Sequence, residues 1–223
     1  MGPLRMLLIV CNPLEVGDLP AMIEKLSTSR VSPLWGERIK VRRLEGNPTL
    51  EQIRSALVDY QLVHLLAQSV REGDKQYILL ANEKGEREQV PAPVVAEAMS
   101  ILGTSFPSLV FISAPLRDGW REDERVDHLG PVLINSGAQI VVDIERPMNP
   151  DALARFTEVF YAEIMRTDIV DQATAIARRA VFDLSRWDWT APVLYTQSQD
   201  LQVTQQVSEV VEGTVIGVKL GKF

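Results

Sequence analysis

Few residues of this chain could do chemistry near neutral pH. Cys11 is the single cysteine, and His64 and His128 are the only histidines. A cysteine nucleophile needs an imidazole or a cation beside it to form the thiolate. Cys11 ends the apolar run "RMLLIVC", where a free cysteine reads first as a small buried hydrophobe and second as a displaced nucleophile without an evident base. His64 lies inside "QLVHLLAQ" and Ser113 near the end of "SLVFISAP". A serine and an imidazole can form a hydrolytic pair, but two satisfied core polar groups is the simpler reading. His128 follows "REDERVD" at a helix start, which suits a solvated or capping histidine. Asp143, Glu145 and Arg146 follow "IVV". They read either as a polar pocket for a peptide or small ligand, or as an exposed loop with a local ion pair. A four-thiolate metal site is excluded, zinc is disfavoured, and no cofactor is expected.

The elements that must position these groups alternate along the chain. "RMLLIVC", "QLVHLLAQ", "SLVFISAP" and "AQIVVDI" are short continuous apolar runs, as in parallel strands buried on both faces. "RIKVRRL" alternates with a period of two and reads as a sheet edge, and "APVLYTQ" reads as a last short strand. "QYILLANEKGEREQV" reads as a small β-ribbon turning near Lys84 and Gly85. Helical spacing runs through Leu19 to Ser29, "PTLEQIRSALVDY", "APVVAEAMSILG", "HLGPVLINSG", "NPDALARFTEVFYAEIMR" and "IVDQATAIARRAVF". Thr49 and Gln52 have capping-box spacing. Strands alternating with helices predict an α/β fold, a three-layer α/β/α sandwich with a mainly parallel central sheet. Ligands in such sheets sit past the carboxyl ends of the strands.

The 223 residues carry a net charge of −7 with both signs interspersed, which disfavours non-specific nucleic-acid binding. No apolar run is long enough to cross a membrane and no secretory leader is evident, so a soluble, cytoplasmic protein is expected. Residues 1–200 are expected to form one domain. The glycine-punctuated segment 201–223 suits either an added β-ribbon or a connector to a further domain.

Several segments together resemble one family. "LVHLLAQS" is similar to the histidine-containing stretch of CHAT domains, caspase-like relatives of the clan CD cysteine peptidases. "LVFISAPLRD" resembles their cysteine-containing stretch. "LINSGAQIVVDIERPMNPDALARFTEVFYAEIM" and "WDWTAPVLYTQSQD" resemble the following strand, helix and closing strand. The resemblance spans roughly Leu4 to Asp200 and implies a caspase-like fold. In active members a histidine is the general base and a cysteine the nucleophile. Residue by residue, the histidine position is Gln68, the glycine after it is Ser69, and the cysteine position is Pro115. The resemblance therefore implies a member without the catalytic pair.

On that reading Ser113 lies about 6–7 Å deeper than Pro115, and His64 about 13 Å deeper than Gln68. The two are thus expected at different depths. The charged run from Arg117 to Asp127 corresponds to a loop that shapes the family's substrate groove. It is either solvated or, through Trp120, a contact surface. Trp187 and Trp189 are expected to pack beside the last strand. The groove residues would be Ser69, Ser113, Arg117, Trp120, Asp143, Glu145 and Arg146. The expected function is an inactive, CHAT-like interaction or regulatory module in a signalling or conflict system. Its partner would be a protein, a peptide or a fused neighbouring domain, with a homodimer also open. The alternatives are a hydrolase relocated to Cys11 or Ser113, and a structural, oligomer-forming domain.

Overall fold

The computed structural model describes residues 3–11, 38–58, 60–100, 106–113, 128–146, 148–182, 184, 187–197 and 201–203. The anticipated helix from Leu19 to Ser29, the charged run Arg117 to Asp127 and the segment after Val203 lie outside them.

The apolar runs form the sheet expected of them. β1 (Leu4–Val10), β3 (Leu62–Leu66), β7 (Leu109–Ser113) and β8 (Ile140–Ile144) are almost wholly buried. A strand can be apolar on both faces only when helices cover both. β2 (Ile39–Leu44) keeps alternate basic residues in water and takes the sheet edge. β9 (Pro192–Thr196) closes the other edge. The order is β2-β1-β3-β7-β8-β9; all neighbours are parallel except β8 and β9.

Two helical layers cover the sheet. α1 (Leu50–Ala56), α2 (Ala92–Met99) and α3 (Leu129–Asn135) bury Ile53, Val95, Met99 and Leu133 against Leu7, Ile9, Val63 and Val110. α4 (Pro150–Thr167) and α5 (Val170–Phe182) bury Phe156, Phe160, Ile164 and Ala177 against Met6, Leu62, Phe111 and Val142. The capping box of α1 forms: Gln52 N–H donates to Thr49 Oγ1 at 3.2 Å and Thr49 N–H to Gln52 Oε1 at 2.9 Å. Asn149 caps α4 through Asp151 N–H, and Asp168 ends it at φ 63°.

The ribbon has one strand more than the sequence suggested. β4 (Gln68–Glu72) precedes β5 (Lys75–Ala81) and β6 (Arg87–Pro91), giving a three-stranded antiparallel sheet. Asn82 Oδ1 accepts from Lys84 and Glu86 N–H across the β5–β6 turn, with Gly85 at φ 77°. Ile78, Leu80 and Val90 pack the ribbon onto the α1–α3 side. Gln68 is thus not the last residue of β3 but the first of β4, with Ala67 between the two strands. Trp187 also departs from expectation: it is 77% exposed, and Trp189 lies edge-on to Phe182 with ring centroids 5.9 Å apart. Trp187 stands just before the 3₁₀ turn at Asp188–Thr190, none of whose residues is buried.

Candidate functional site

Of the anticipated residues, Ser113 lies at the carboxyl end of β7 and Asp143 near that of β8, on opposite faces of the sheet. Side chains alternate along a strand, so Ser113 points to the α4–α5 side with Phe111 and Asp143 to the opposite side with Val141.

On the α4–α5 side, His64 Nε2 lies 3.2 Å from Ser113 Oγ and its Nδ1 3.3 Å from the Tyr161 hydroxyl. This corrects the expected separation by depth. β3 and β7 run in parallel register with Leu66 opposite Ser113, so His64 and Ser113 are offset by two residues on one face. Diagonal neighbours of that kind are within reach of a long side chain. All three groups are about 1% exposed. Burial lowers the His64 pKa to about 3 and raises that of Tyr161, so the chain of hydroxyl, imidazole and phenol is neutral at physiological pH. Phe111 lies against the imidazole at 4.4 Å. A neutral imidazole with one nitrogen donating and one accepting is satisfied. Tyr161 went unnoticed in the sequence, although it lies four residues after Thr157 and beside Phe160 on the buried face of α4.

On the other side a second network ties the ribbon to the sheet. Gln76 Nε2 donates to Ser69 Oγ at 3.1 Å, and Leu129 N–H donates to Gln76 Oε1 at 2.7 Å. The next amide, Gly130 N–H, donates to Asp143 Oδ2 at 2.9 Å. Asp143 is not in an exposed loop, as one reading held; it is inside β8 and 2% exposed. Burial raises its pKa, the Gly130 hydrogen bond lowers it and the Glu145 charge raises it, to about 7. The Tyr195 hydroxyl donates to Glu145 Oε1. Arg146 follows at intermediate exposure. A Cβ on Gly130 would meet Asp143 Oδ2 and the Tyr195 ring at 2.9 Å, so this contact admits only glycine. Gln76 and Tyr195 were missed because a strand's apolar pattern does not say which other strand or helix its polar residues meet.

Cys11 and Gln68 are buried, and burial alone pushes the Cys11 thiol up to about 12. His128 is the N-cap of α3 but makes no side-chain capping bond. Pro115, Arg117 and Trp120 lie outside the described residues. A cavity of about 390 Å³ lies between the end of β2 and α1, lined by Arg42, Glu45, Glu51 and Gln52. It holds none of the anticipated residues. Among the described residues no three His, Cys, Asp or Glu side chains are grouped to hold a metal, and no helix is long and apolar enough to cross a membrane.

The family model described as "CHAT domain" matches residues 8–205. The chain belongs to the CHAT domain family. No curated protein matches it. Among solved structures, this CHAT domain is similar to a region of separase in the Saccharomyces cerevisiae separase–securin complex. The TM-score is 0.52 at 14% identity, covering 88% of this chain and 12% of that one. That likeness is one of fold, caspase-like, and the chain spans only about an eighth of the protein it matches. A putative cystathionine beta-lyase involved in aluminum resistance from Clostridium acetobutylicum aligns at a TM-score of 0.32. Its identity is 11%, with 82% of this chain and 49% of that one covered; so low a score carries no argument. The CHAT domain thus presents its strand ends with two buried polar networks behind them. One is neutral and the other holds a carboxyl that titrates near neutrality.

Proposed function

We propose that this CHAT domain is a recognition or regulatory module without the family's peptidase chemistry. Gln68 carries the reading. By resemblance it stands at the general-base position, and an amide neither titrates nor shuttles a proton. Pro115, at the nucleophile position, has no sulfur and no backbone N–H to offer an oxyanion. Cys11 offers no replacement, because a buried thiol with its pKa near 12 forms almost no thiolate. The partner is a protein, a peptide or a neighbouring domain, engaged at the strand-end edge around Glu145 and Arg146, which keep intermediate exposure, in a signalling or conflict system; Ser69, fully buried, is not part of that surface. Activity-probe labelling and a peptide-library cleavage screen on the purified chain test the loss of chemistry. The expected result is neither labelling nor turnover. Turnover that survives Cys11→Ala and disappears in Gln68→Ala would overturn it.

One observation favours a second reading, a hydrolase relocated to Ser113: the 3.2 Å contact between its hydroxyl and His64. Against it stands the burial of both groups. It predicts that a fluorophosphonate labels Ser113 and that His64→Leu abolishes the labelling. An unlabelled native chain removes it.

A further inference from the structure

The outer faces of α4 and α5 differ in how their charges are satisfied. On α4, Arg155 pairs with Glu158 at 3.1 Å and Arg166 with Glu163 at 2.7 Å, each three residues apart. On α5 the exposed residues are Asp171, Gln172, Ala175, Arg179 and Phe182. Asp171, Ala175, Arg179 and Phe182 follow at intervals of four, four and three, so they form one stripe. Asp171 and Arg179 carry opposite charges but stand about 12 Å apart along the axis, beyond reach of each other. Among the described residues neither has an ion-pair partner; the Asp171 carboxylate accepts only the adjacent Gln172 N–H, at 2.8 Å. Past the end of the stripe the surface turns apolar: Phe182 is 50% exposed, Leu184 61% and Trp187 77%.

The stripe is its own complement. Ala175 lies midway between the two charges, four residues from each. When two copies of α5 cross antiparallel about a two-fold axis at Ala175, a residue n places after it faces one n places before it. Asp171 then meets Arg179 of the partner subunit, and the symmetry makes that pair twice. The small side chain on the axis lets the helices approach within the usual 8–10 Å or so. Phe182 and the neighbouring Trp187 and Leu184 extend the contact at both ends with large apolar side chains, the kind that anchor interfaces.

We propose that the α5 face is the contact surface of a symmetric homodimer, with Ala175 on the two-fold axis and Asp171 paired with Arg179 across it. Sedimentation equilibrium on the full chain at micromolar concentration tests this, with thermal melts confirming that each variant is folded. The wild type is expected to dimerise. Asp171→Arg or Arg179→Asp alone turns both attractive pairs repulsive and should weaken the dimer about tenfold. The double exchange re-forms the pairs with the charges swapped and should restore affinity to within about twofold of wild type. Ala175→Glu sets two carboxylates on the axis and should leave a monomer. A wild type that stays monomeric overturns the proposal and leaves the stripe to another partner. A dimer indifferent to the single reversals, or a double exchange as weak as either single, overturns it equally.

Discussion

Gly130 is the residue on which the strand-end network depends most closely. Its amide serves the Asp143 carboxylate, and the absence of a Cβ lets Tyr195 lie over it. Gly130→Ala would drive a methyl group to 2.9 Å from both neighbours. Neither is the far end of a free, flexible chain, since Asp143 is fixed in β8 and Tyr195 is held by Glu145. Overpacking of this kind costs about 1–3 kcal/mol, and denaturant unfolding should show a loss of that size. Cys11 gives a second test at this scale. Buried and with its thiol pushed up to about 12, it should resist iodoacetamide at pH 8 in the native chain and react once the chain is unfolded. Its reading as a small hydrophobe was already legible in the run that it ends. The pairing of His64 with Ser113 was not, because it depends on the register of β3 against β7, which neither run encodes alone.

Whole elements were easier to read than their ends. The apolar runs named β1, β3, β7 and β8 because a strand covered on both faces leaves an unbroken signature. The helices declared themselves by spacing and caps. The capping box at Thr49 and Gln52 forms as its spacing suggested, and Thr49→Ala should cost about 1 kcal/mol in a chemical melt. Termini were harder. "QLVHLLAQS" runs without a break from β3 into β4, and only Ala67 separates them. No glycine or proline marks the change from parallel sheet to antiparallel ribbon, so composition could not place Gln68. Asp143 was displaced for a related reason. A charged residue at the end of "IVV" looks like the first residue in water, yet β9 pairs beside it, with Val193 opposite, and keeps it inside. The aromatic turn was misjudged too, since Trp187 is large and apolar by type but exposed by position.

Over the whole molecule, the two buried networks pull stability in opposite directions with pH. The folded-state pKa of His64 is lowered from 6.5 to about 3. Its contribution is therefore complete above pH 6.5 and is lost as the pH falls towards 3, because the unfolded chain takes up a proton that the folded chain refuses. The folded-state pKa of Asp143 is raised from 3.8 to about 7. Its contribution is complete below pH 3.8 and is lost as the pH rises through about 7, because the folded chain keeps a proton that the unfolded chain releases. Between pH 4 and 6.5, roughly, each tilts stability by up to about 1.4 kcal/mol per pH unit, with opposite signs. The groups lie on opposite faces of the sheet, His64 bonded to Ser113 and Tyr161 and Asp143 to Gly130, so their effects should add. The wild-type melting temperature should then carry almost no slope from this pair across that window. Asp143→Asn keeps an acceptor for Gly130 and removes one slope, so this variant should lose stability steadily on acidification. His64→Leu removes the other slope and the imidazole that bonds the Ser113 and Tyr161 hydroxyls, which lowers stability throughout; what remains should gain stability on acidification. Melting temperatures of the three proteins from pH 4 to 7 decide it. Parallel curves for all three would mean that these two groups are not buried in the protonation states their surroundings impose.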